Sequence, residues 1–330
     1  MPFPVTYRQM QDRYGHRISY LRVSITDRCN ERCTYCMPQE LQEWLPRDGI
    51  LSFEETLRLI RIAAELGVSK VRVTGGEPLT RRDVINFIQQ IPQIAAIKSI
   101  GLSTNGTLLA RKITPTRTMA TALRDAGTQS VNISLDTLDA AVYSQITGRN
   151  LHREVLRGIE AAMAARFGQI KLNTVLMRGR NEDQFIPLIE FAGARDLILR
   201  FIEMMPVSTS DVLDEHNFMS ILEAKRSIES FYGSLIPETE FRTNGPATYY
   251  QIPGRKQFCE SCNKLRLTCD GKLRPCLGSY LEFDVMKPLR AGASDEELKQ
   301  FFLDVVDRKP QQHDFRNNYQ PNRKMIAIGG

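Results

Sequence analysis

Between residues 20 and 206 the chain alternates between two hydrophobic patterns. Short β-branched runs predict strands: "LRVSI" (21–25), "KVRVTG" (70–75), "SIGLST" (99–104), "SVNISL" (130–135), "KLNTVLM" (171–177) and "LILRFIEM" (197–204). Between them, apolar positions three and four residues apart predict helices in "SFEETLRLIRIAAELG" (52–67), "TMATALRDAG" (118–127), "EVLRGIEAAMAAR" (154–166) and "EDQFIPLIEFAGAR" (182–195). The first of these has both its ends marked, by a Ser52/Glu55 capping box and by Gly67. Strand–helix units in series imply a parallel sheet with right-handed crossovers. An open doubly wound sheet and a partial barrel both satisfy the pattern, and in either one ligands sit at the carboxyl ends of the strands. Past residue 210 the alternation fades into Pro, Gly and polar residues. The expected division is a larger unit over 1–215 and a smaller, irregular one over 216–330.

Composition narrows the classes. At 330 residues, 42% hydrophobic and 25% charged, the chain suits a soluble globular protein with more than one core. No run approaches the roughly 20 apolar residues of a membrane span. The start, "MPFPVTYRQMQDRYGH", is too polar for a secretory signal, so a cytoplasmic protein is expected. The net charge of +6 suits a small anionic substrate as well as it suits nucleic acid.

The cysteines change the picture most. Three of the seven lie at 29–36 and four at 259–276. An odd number in a chain of this kind argues against a disulfide framework and for metal. Cys29, Cys33 and Cys36 form a C-x-x-x-C-x-x-C array in the first strand-to-helix loop, while His16, His152, His216 and His313 show no matching ligand spacing. A structural zinc wants four ligands, whereas three thiolates match three irons of a 4Fe-4S cube and leave the fourth open. Spacing alone keeps both readings. In "FCESCNKLRLTCDGKLRPCLG", Cys259 and Cys262 are a C-x-x-C pair, with Cys269 and Cys276 both possible as third ligand. Four ligands there would make a zinc ribbon, and three a second open cluster.

Charge placement is a separate signal. Parallel strands are normally apolar on both faces, yet these carry Arg22, Arg72, Lys171 and Arg200. Snorkelling to solvent explains one or two such residues, but cations on four strands point to a positively lined cavity. Lys264 and Arg266, beside the second cysteine pair, extend it. A polyanion such as a nucleoside triphosphate fits this lining. "TGGEP" (74–78) ends the second strand candidate. It reads as a tight turn or, beside the cysteine loop, as an edge where backbone approaches a ligand and Glu77 accepts from an ammonium group.

"LRVSITDRCNERCTYCMP", "VRVTGGEPLTRRD", "NISLDTLD", "LNTVLMRGRN", "RFIEMMP", "FCESCNKLRL" and the terminal "IGG" together span nearly the whole chain. In this order they resemble the radical S-adenosylmethionine (SAM) superfamily, and within it the members that act on GTP at the start of molybdenum cofactor biosynthesis. The resemblance implies an α/β fold: a partial (β/α)6 TIM-type barrel followed by a smaller, irregular C-terminal domain that carries a second cluster and ends in a Gly-Gly tail. It implies two 4Fe-4S clusters. Cys29, Cys33 and Cys36 would hold the first, whose open iron takes the amino and carboxyl groups of SAM. Tyr35, Gly76, Ser134 and Met205 match positions that contact SAM, with Glu77 at its ammonium group. Cys259, Cys262 and Cys276 would hold the second cluster, where guanine docks, and Cys269 falls at a position expected to be a non-ligand. Arg22, Arg72, Ser103, Lys171, Lys264 and Arg266 fall where relatives bind GTP. Two of these depart from the pattern, with Ser103 in place of Thr and Lys264 in place of Arg; the second loses a bidentate fork.

By the same resemblance, hydrogen is abstracted from the ribose C3' of GTP, the carbon radical attacks guanine C8, and reduction with protonation gives a cyclised dihydro-GTP. An electron donor, a downstream cyclic pyranopterin monophosphate synthase and a homodimer are the implied partners, with no membrane or nucleic acid. The Gly329–Gly330 tail reads either as a free terminus or as a segment that reaches the active site. Two other readings compete: a radical SAM enzyme that modifies peptides with an auxiliary cluster, and a zinc-ribbon protein that binds nucleic acid. The latter predicts a basic stripe with stacking aromatics, against the 8% aromatic content of this chain.

Overall fold

The computed structural model describes residues 9–37, 43–205, 217–235 and 262–311. Cys259, the expected boundary at 215/216 and the Gly-Gly tail lie outside the described residues. The six strand-forming runs are β1 (Tyr20–Ser24), β2 (Lys70–Thr74), β3 (Ser99–Thr104), then, after a small hairpin of β4 (Lys112–Thr114) and β5 (Arg117–Thr118), β6 (Ser130–Ser134), β7 (Gln169–Leu176) and β8 (Ile198–Glu203). They pair parallel in the order β1-β2-β3-β6-β7-β8, each strand beside its predecessor. This is the topology of a partial barrel.

Helices return the chain between strands. They are α1 (Phe53–Glu65), α2 (Val84–Gln90), α3 (Met119–Asp125), α4 (Ala140–Thr147), α5 (His152–Ala164) and α6 (Phe185–Gly193). The capping box expected at Ser52 is formed: Glu55 N–H donates to Ser52 Oγ at 3.1 Å and Ser52 N–H to Glu55 Oε2 at 2.7 Å. Leu59, Ile60 and Ala63 turn one face of α1 into the core, each large side chain contributing about 1.5–3 kcal/mol. The short α2 and α4 were not expected from the pattern.

The larger difference is in the C-terminal part, where the sequence suggests only irregular structure. After α7 (Ile221–Tyr232), strands β9 (Lys264–Leu267), β10 (Lys272–Arg274) and β11 (Phe283–Asp284) continue the same sheet. β9 lies parallel to β1, and β10 and β11 follow antiparallel. The signal was present in "KLRLTCDGKLR": period-two alternation on both sides of an Asp270-Gly271 turn. α8 (Met286–Arg290) and α9 (Asp295–Asp307) then fold back onto α1, with ion pairs Arg58–Asp295 at 2.7 Å, Arg290–Glu55 at 2.7 Å and Lys299–Glu65 at 2.6 Å.

Strand alternation separates two environments. Leu21, Val23, Val71, Val73, Leu102, Val131, Leu172, Leu265 and Leu267 belong to the main hydrophobic core. Successive side chains of a strand point to opposite faces, so Arg22, Arg72, Ser103, Asn132, Lys171, Lys264 and Arg266 share the other face, inside the curve of the sheet.

Candidate functional site

The loop after β1 carries Cys29, Cys33 and Cys36, and three contacts with other elements fix its path. On one side the backbone of the Gly-Gly-Glu segment pairs with it: Gly76 N–H donates to the Thr26 carbonyl and Glu77 N–H to the Arg28 carbonyl, both at 2.8 Å. A Cβ at Gly76 would stand 2.4 Å from the Arg28 oxygen, so only glycine permits this approach. On the other side Arg32 and Thr34 donate to the Thr147 and Ile146 carbonyls at the end of α4, at 2.7 and 2.9 Å. Beneath the loop Tyr143 of α4 donates to the Glu31 carboxylate.

Glu31 is buried. Burial pushes its carboxyl up to about 7, against the lowering effect of the Tyr143 hydrogen bond. Cys29 Sγ accepts from Glu31 N–H at 3.4 Å, and Cys33 Sγ lies 3.9 Å from Glu31 Oε2. Burial raises the Cys29 and Cys33 thiols, with Glu77 acting next on Cys29 and Glu31 next on Cys33. These thiols favour the neutral form unless a cation offsets the cost. The turn is closed by Cys36 N–H and Met37 N–H on the Cys33 carbonyl, at 3.0 and 2.9 Å. Three thiols on one turn, with an N–H aimed at sulfur, fit a cluster that takes one thiolate per iron. They do not converge as a single ion requires, and among the described residues no three His, Cys, Asp or Glu side chains do.

Of the expected SAM contacts, Tyr35 is half-buried and donates to Asp136 Oδ2 at 2.9 Å; Asp136, pushed up to about 6 by burial, also accepts from Val175 N–H at 2.8 Å. Ser134 is exposed at the end of β6, and Met205 is half-buried just past β8. Glu77 is fully buried and pushed up to about 7 by desolvation. It accepts from Leu79 N–H at 2.9 Å, Thr104 Oγ1 at 2.9 Å and Asn105 N–H at 2.7 Å. A carboxylate has about four acceptor sites, so Glu77 locks β2, β3 and the turn together with about one site to spare.

The polar face holds the cations in register. Arg266 of β9, Arg22 of β1 and Arg72 of β2 lie side by side, followed by Gly101 of β3 and Ser130 of β6. Gly101 has a steric reason: a Cβ there would stand 2.6 Å from the Arg72 guanidinium, which crosses over it to reach Ser130 Oγ at 3.1 Å and the Leu102 carbonyl at 2.8 Å. Arg72 Nε donates to the Tyr20 hydroxyl at 2.6 Å. Burial would raise that phenol, yet Arg72, Arg22 and Arg266 outweigh it and hold it below its ordinary value. The next row is Ser103, Asn132 and Lys171. Lys171 is buried, and desolvation followed by Arg200, Arg72 and Lys70 pushes its amine down to about 7. Desolvation followed by Arg22 pushes Lys264 down to about 7 and Arg266 to about 9. So dense a group of cations is costly in an empty protein and profitable around a polyanion.

Register also sorts the second cysteine set. Arg274 of β10 pairs with Arg266 of β9, so Cys262, before β9, and Cys276, after β10, lie at one end of the hairpin. Cys269 occupies the turn at the other end, 1% exposed, with its carbonyl accepting from Leu51 N–H at 2.8 Å. β9 is parallel to β1. Cys262 and Cys276 therefore flank the amino ends of the barrel strands, while Cys29, Cys33 and Cys36 follow a carboxyl end. The cation rows lie between the two sets.

Sequence reasoning missed Tyr20, Glu31, Asp136, Tyr143 and Asn132. Asn132 Oδ1 is buried and has no hydrogen-bond partner among the described residues.

Comparison with known proteins finds two family models in succession along the chain. Residues 23–192 match the Radical SAM superfamily and residues 197–315 match Molybdenum Cofactor Synthesis C. Proteins named GTP 3',8-cyclase are similar over 97% of this chain and 100% of their own length: 40% identical in Thermodesulfovibrio yellowstonii, 38% in Desulforamulus reducens and 40% in Moorella thermoacetica. Among solved structures, Streptococcus suis SuiB aligns with a TM-score of 0.59 at 16% identity, covering 90% of this chain and 68% of that one. The anSMEcpe protein with bound AdoMet aligns at 0.58 and 15%, covering 90% and 82%. Those two likenesses concern the fold.

Proposed function

The chain belongs to the radical SAM superfamily and, within it, to the GTP 3',8-cyclases, and from that premise we propose which of its residues do the work. It is an enzyme of molybdenum cofactor biosynthesis that acts on GTP, using SAM, a 4Fe-4S cluster and an additional cluster. Cys29, Cys33 and Cys36 hold the first cluster, and Tyr35, Gly76, Glu77, Ser134 and Met205 surround SAM. When bound, the cluster would give one electron to SAM, cleaving it to methionine and a 5'-deoxyadenosyl radical able to take hydrogen from the ribose C3' of GTP. Arg22, Arg72, Ser103, Lys171, Lys264 and Arg266 hold the nucleotide in the cation-lined interior. Cys262 and Cys276, with Cys259 outside the described residues, hold the second cluster at the guanine end. The product is (8S)-3',8-cyclo-7,8-dihydro-GTP.

The observation that carries this assignment is the ordering of the interior: thiols at one end of the strands, cations between, then thiols at the other end. An elongated substrate with a polyanionic part fits this arrangement, and its radical is shielded by the barrel walls. A triphosphate brings more anionic charge to this lining than a neutral peptide segment would. Among the described residues no helix is long and apolar enough to cross a membrane. The proposed compartment is the cytoplasm, and the proposed partners are an electron donor, a cyclic pyranopterin monophosphate synthase and a second copy of the chain.

The test is anaerobic reconstitution with iron, sulfide and zinc analysis, followed by GTP and SAM under a strong reductant. About eight irons per chain and GTP-dependent 5'-deoxyadenosine are expected. Deoxyadenosine formation indifferent to GTP would overturn the substrate assignment.

Asn132 joins the nucleotide contacts in this proposal, because its unpaired oxygen lies in the row of Ser103 and Lys171. Asn132→Leu should leave the ligand-free melting temperature unchanged or higher and weaken GTP about tenfold, within the ~1–3 kcal/mol cost of a lost buried partner. Equilibrium binding beside calorimetry checks both halves, and unaltered GTP affinity would remove Asn132 from the site.

A further inference from the structure

Lys309 lies two residues beyond α9, far in sequence from either cysteine set, and is only 5% exposed. Its Nζ donates to the Pro275 carbonyl at 2.7 Å, lies 3.5 Å from the Lys264 carbonyl and stands 3.4 Å from Cys262 Sγ. None of these partners is a carboxylate. A lysine is seldom buried without an anion to meet. Here the group it meets is the Cys262 sulfur, 3.4 Å away, which as a cluster ligand would carry negative charge.

We propose that Lys309 is a positioning residue of the second cluster site, clipping the segment that bears Cys262 to the segment that bears Cys276 and donating to the Cys262 sulfur so that the bound cluster is easier to reduce. The inference rests on Cys262 and Cys276 being cluster ligands. Hydrogen bonds to sulfur and nearby positive charge favour the reduced, more negative state of an iron–sulfur centre. Lys264 and Arg266 also bear on Cys262 electrostatically, but both sit on the interior face of β9 among the nucleotide-facing cations. Lys309 arrives separately, carried by α9, whose ion pairs to α1 fix it against the barrel. It holds both ligand segments at once, through Cys262 itself and through the carbonyl next to Cys276.

The experiment compares Lys309→Met and Lys309→Arg with the unaltered full chain after anaerobic reconstitution. Iron per chain is measured, and each cluster is titrated by potentiometry with spin-resonance detection. The Met variant should keep its iron and favour the oxidised second cluster about tenfold at fixed potential, equivalent to about 59 mV for one electron. The first cluster should not move, and Arg should stay near the unaltered protein. No shift in Met, or equal shifts in Met and Arg, overturns the proposal. If Met loses iron, the Arg variant decides: retention of iron and potential supports the clip, and loss overturns it. Cys262→Ala separates the two readings, because a variant that keeps every iron refutes the ligand assignment itself.

Discussion

Cys33→Ala should lose about four irons per chain and form no 5'-deoxyadenosine above the assay background, while the second cluster is retained. Cys33 is the middle thiol of the array, and its carbonyl accepts from Cys36 N–H and Met37 N–H, which fixes Cys36 beside it. The backbone anchors to Gly76, Glu77 and α4 do not involve its side chain, so the loop keeps its path. In the metal-free protein the thiol is a neutral group beside Glu31, and truncating it costs about 1 kcal/mol. Iron analysis and thermal unfolding therefore respond very differently. A Cys33→Ala protein that still holds all its iron would show that the array is not the cluster site.

The second large effect concerns Lys171 and pH. Burial, Arg200, Arg72 and Lys70 hold its amine at about 7, so above neutrality it is mostly uncharged. A bound triphosphate favours the ammonium form, so binding takes up a proton. GTP affinity should therefore fall as pH rises above 7, by up to about tenfold per pH unit from this one group. Below pH 6 the lysine is already charged and no further gain follows. Lys171→Met should flatten that part of the profile and weaken binding about a hundredfold at pH 7, about 2.7 kcal/mol, within the range for truncating a desolvated charge partner. Lys171→Arg should hold its affinity at pH 9. Calorimetric titration from pH 6.5 to 9, in buffers of different ionisation heat, reads both the slope and the proton uptake. Equal slopes in Lys171→Met and the unaltered protein would exclude this lysine.

The six barrel strands were legible because β-branched runs recur at a spacing only parallel units explain, and the cations of Arg22, Arg72 and Lys171 were conspicuous where apolar residues belong. The helices α2 and α4 were missed although α3, of similar length, was legible; two turns give few apolar positions from which to establish a period. The strands after residue 262 left only a short signal, four residues in β9 and three in β10 on either side of the Asp270-Gly271 turn. Spacing left Cys269 and Cys276 equivalent; only the pairing of β9 with β10 places them at opposite ends. Glu31 and Tyr143, 112 residues apart, and Lys309 and Cys262, 47 apart, meet through tertiary structure alone. Glu77 was seen as an acceptor, but nothing local indicated that Thr104 at the end of β3 and Asn105 after it would donate to it.

The parallel pairing of β1 with β9 has a consequence for biogenesis. Asn263 Nδ2 donates to Ser19 Oγ across 244 residues, so the first strand of the sheet waits for one of the last. During synthesis at about 5–20 residues per second, β1 stands for many seconds as an open edge, with the cysteine turn already emerged beside it. An open parallel edge invites wrong pairing, and closing so long a loop slows folding. The nascent chain thus passes through an interval in which its cysteine turn is accessible and its sheet is unsealed. Aggregation is most dangerous in that same interval.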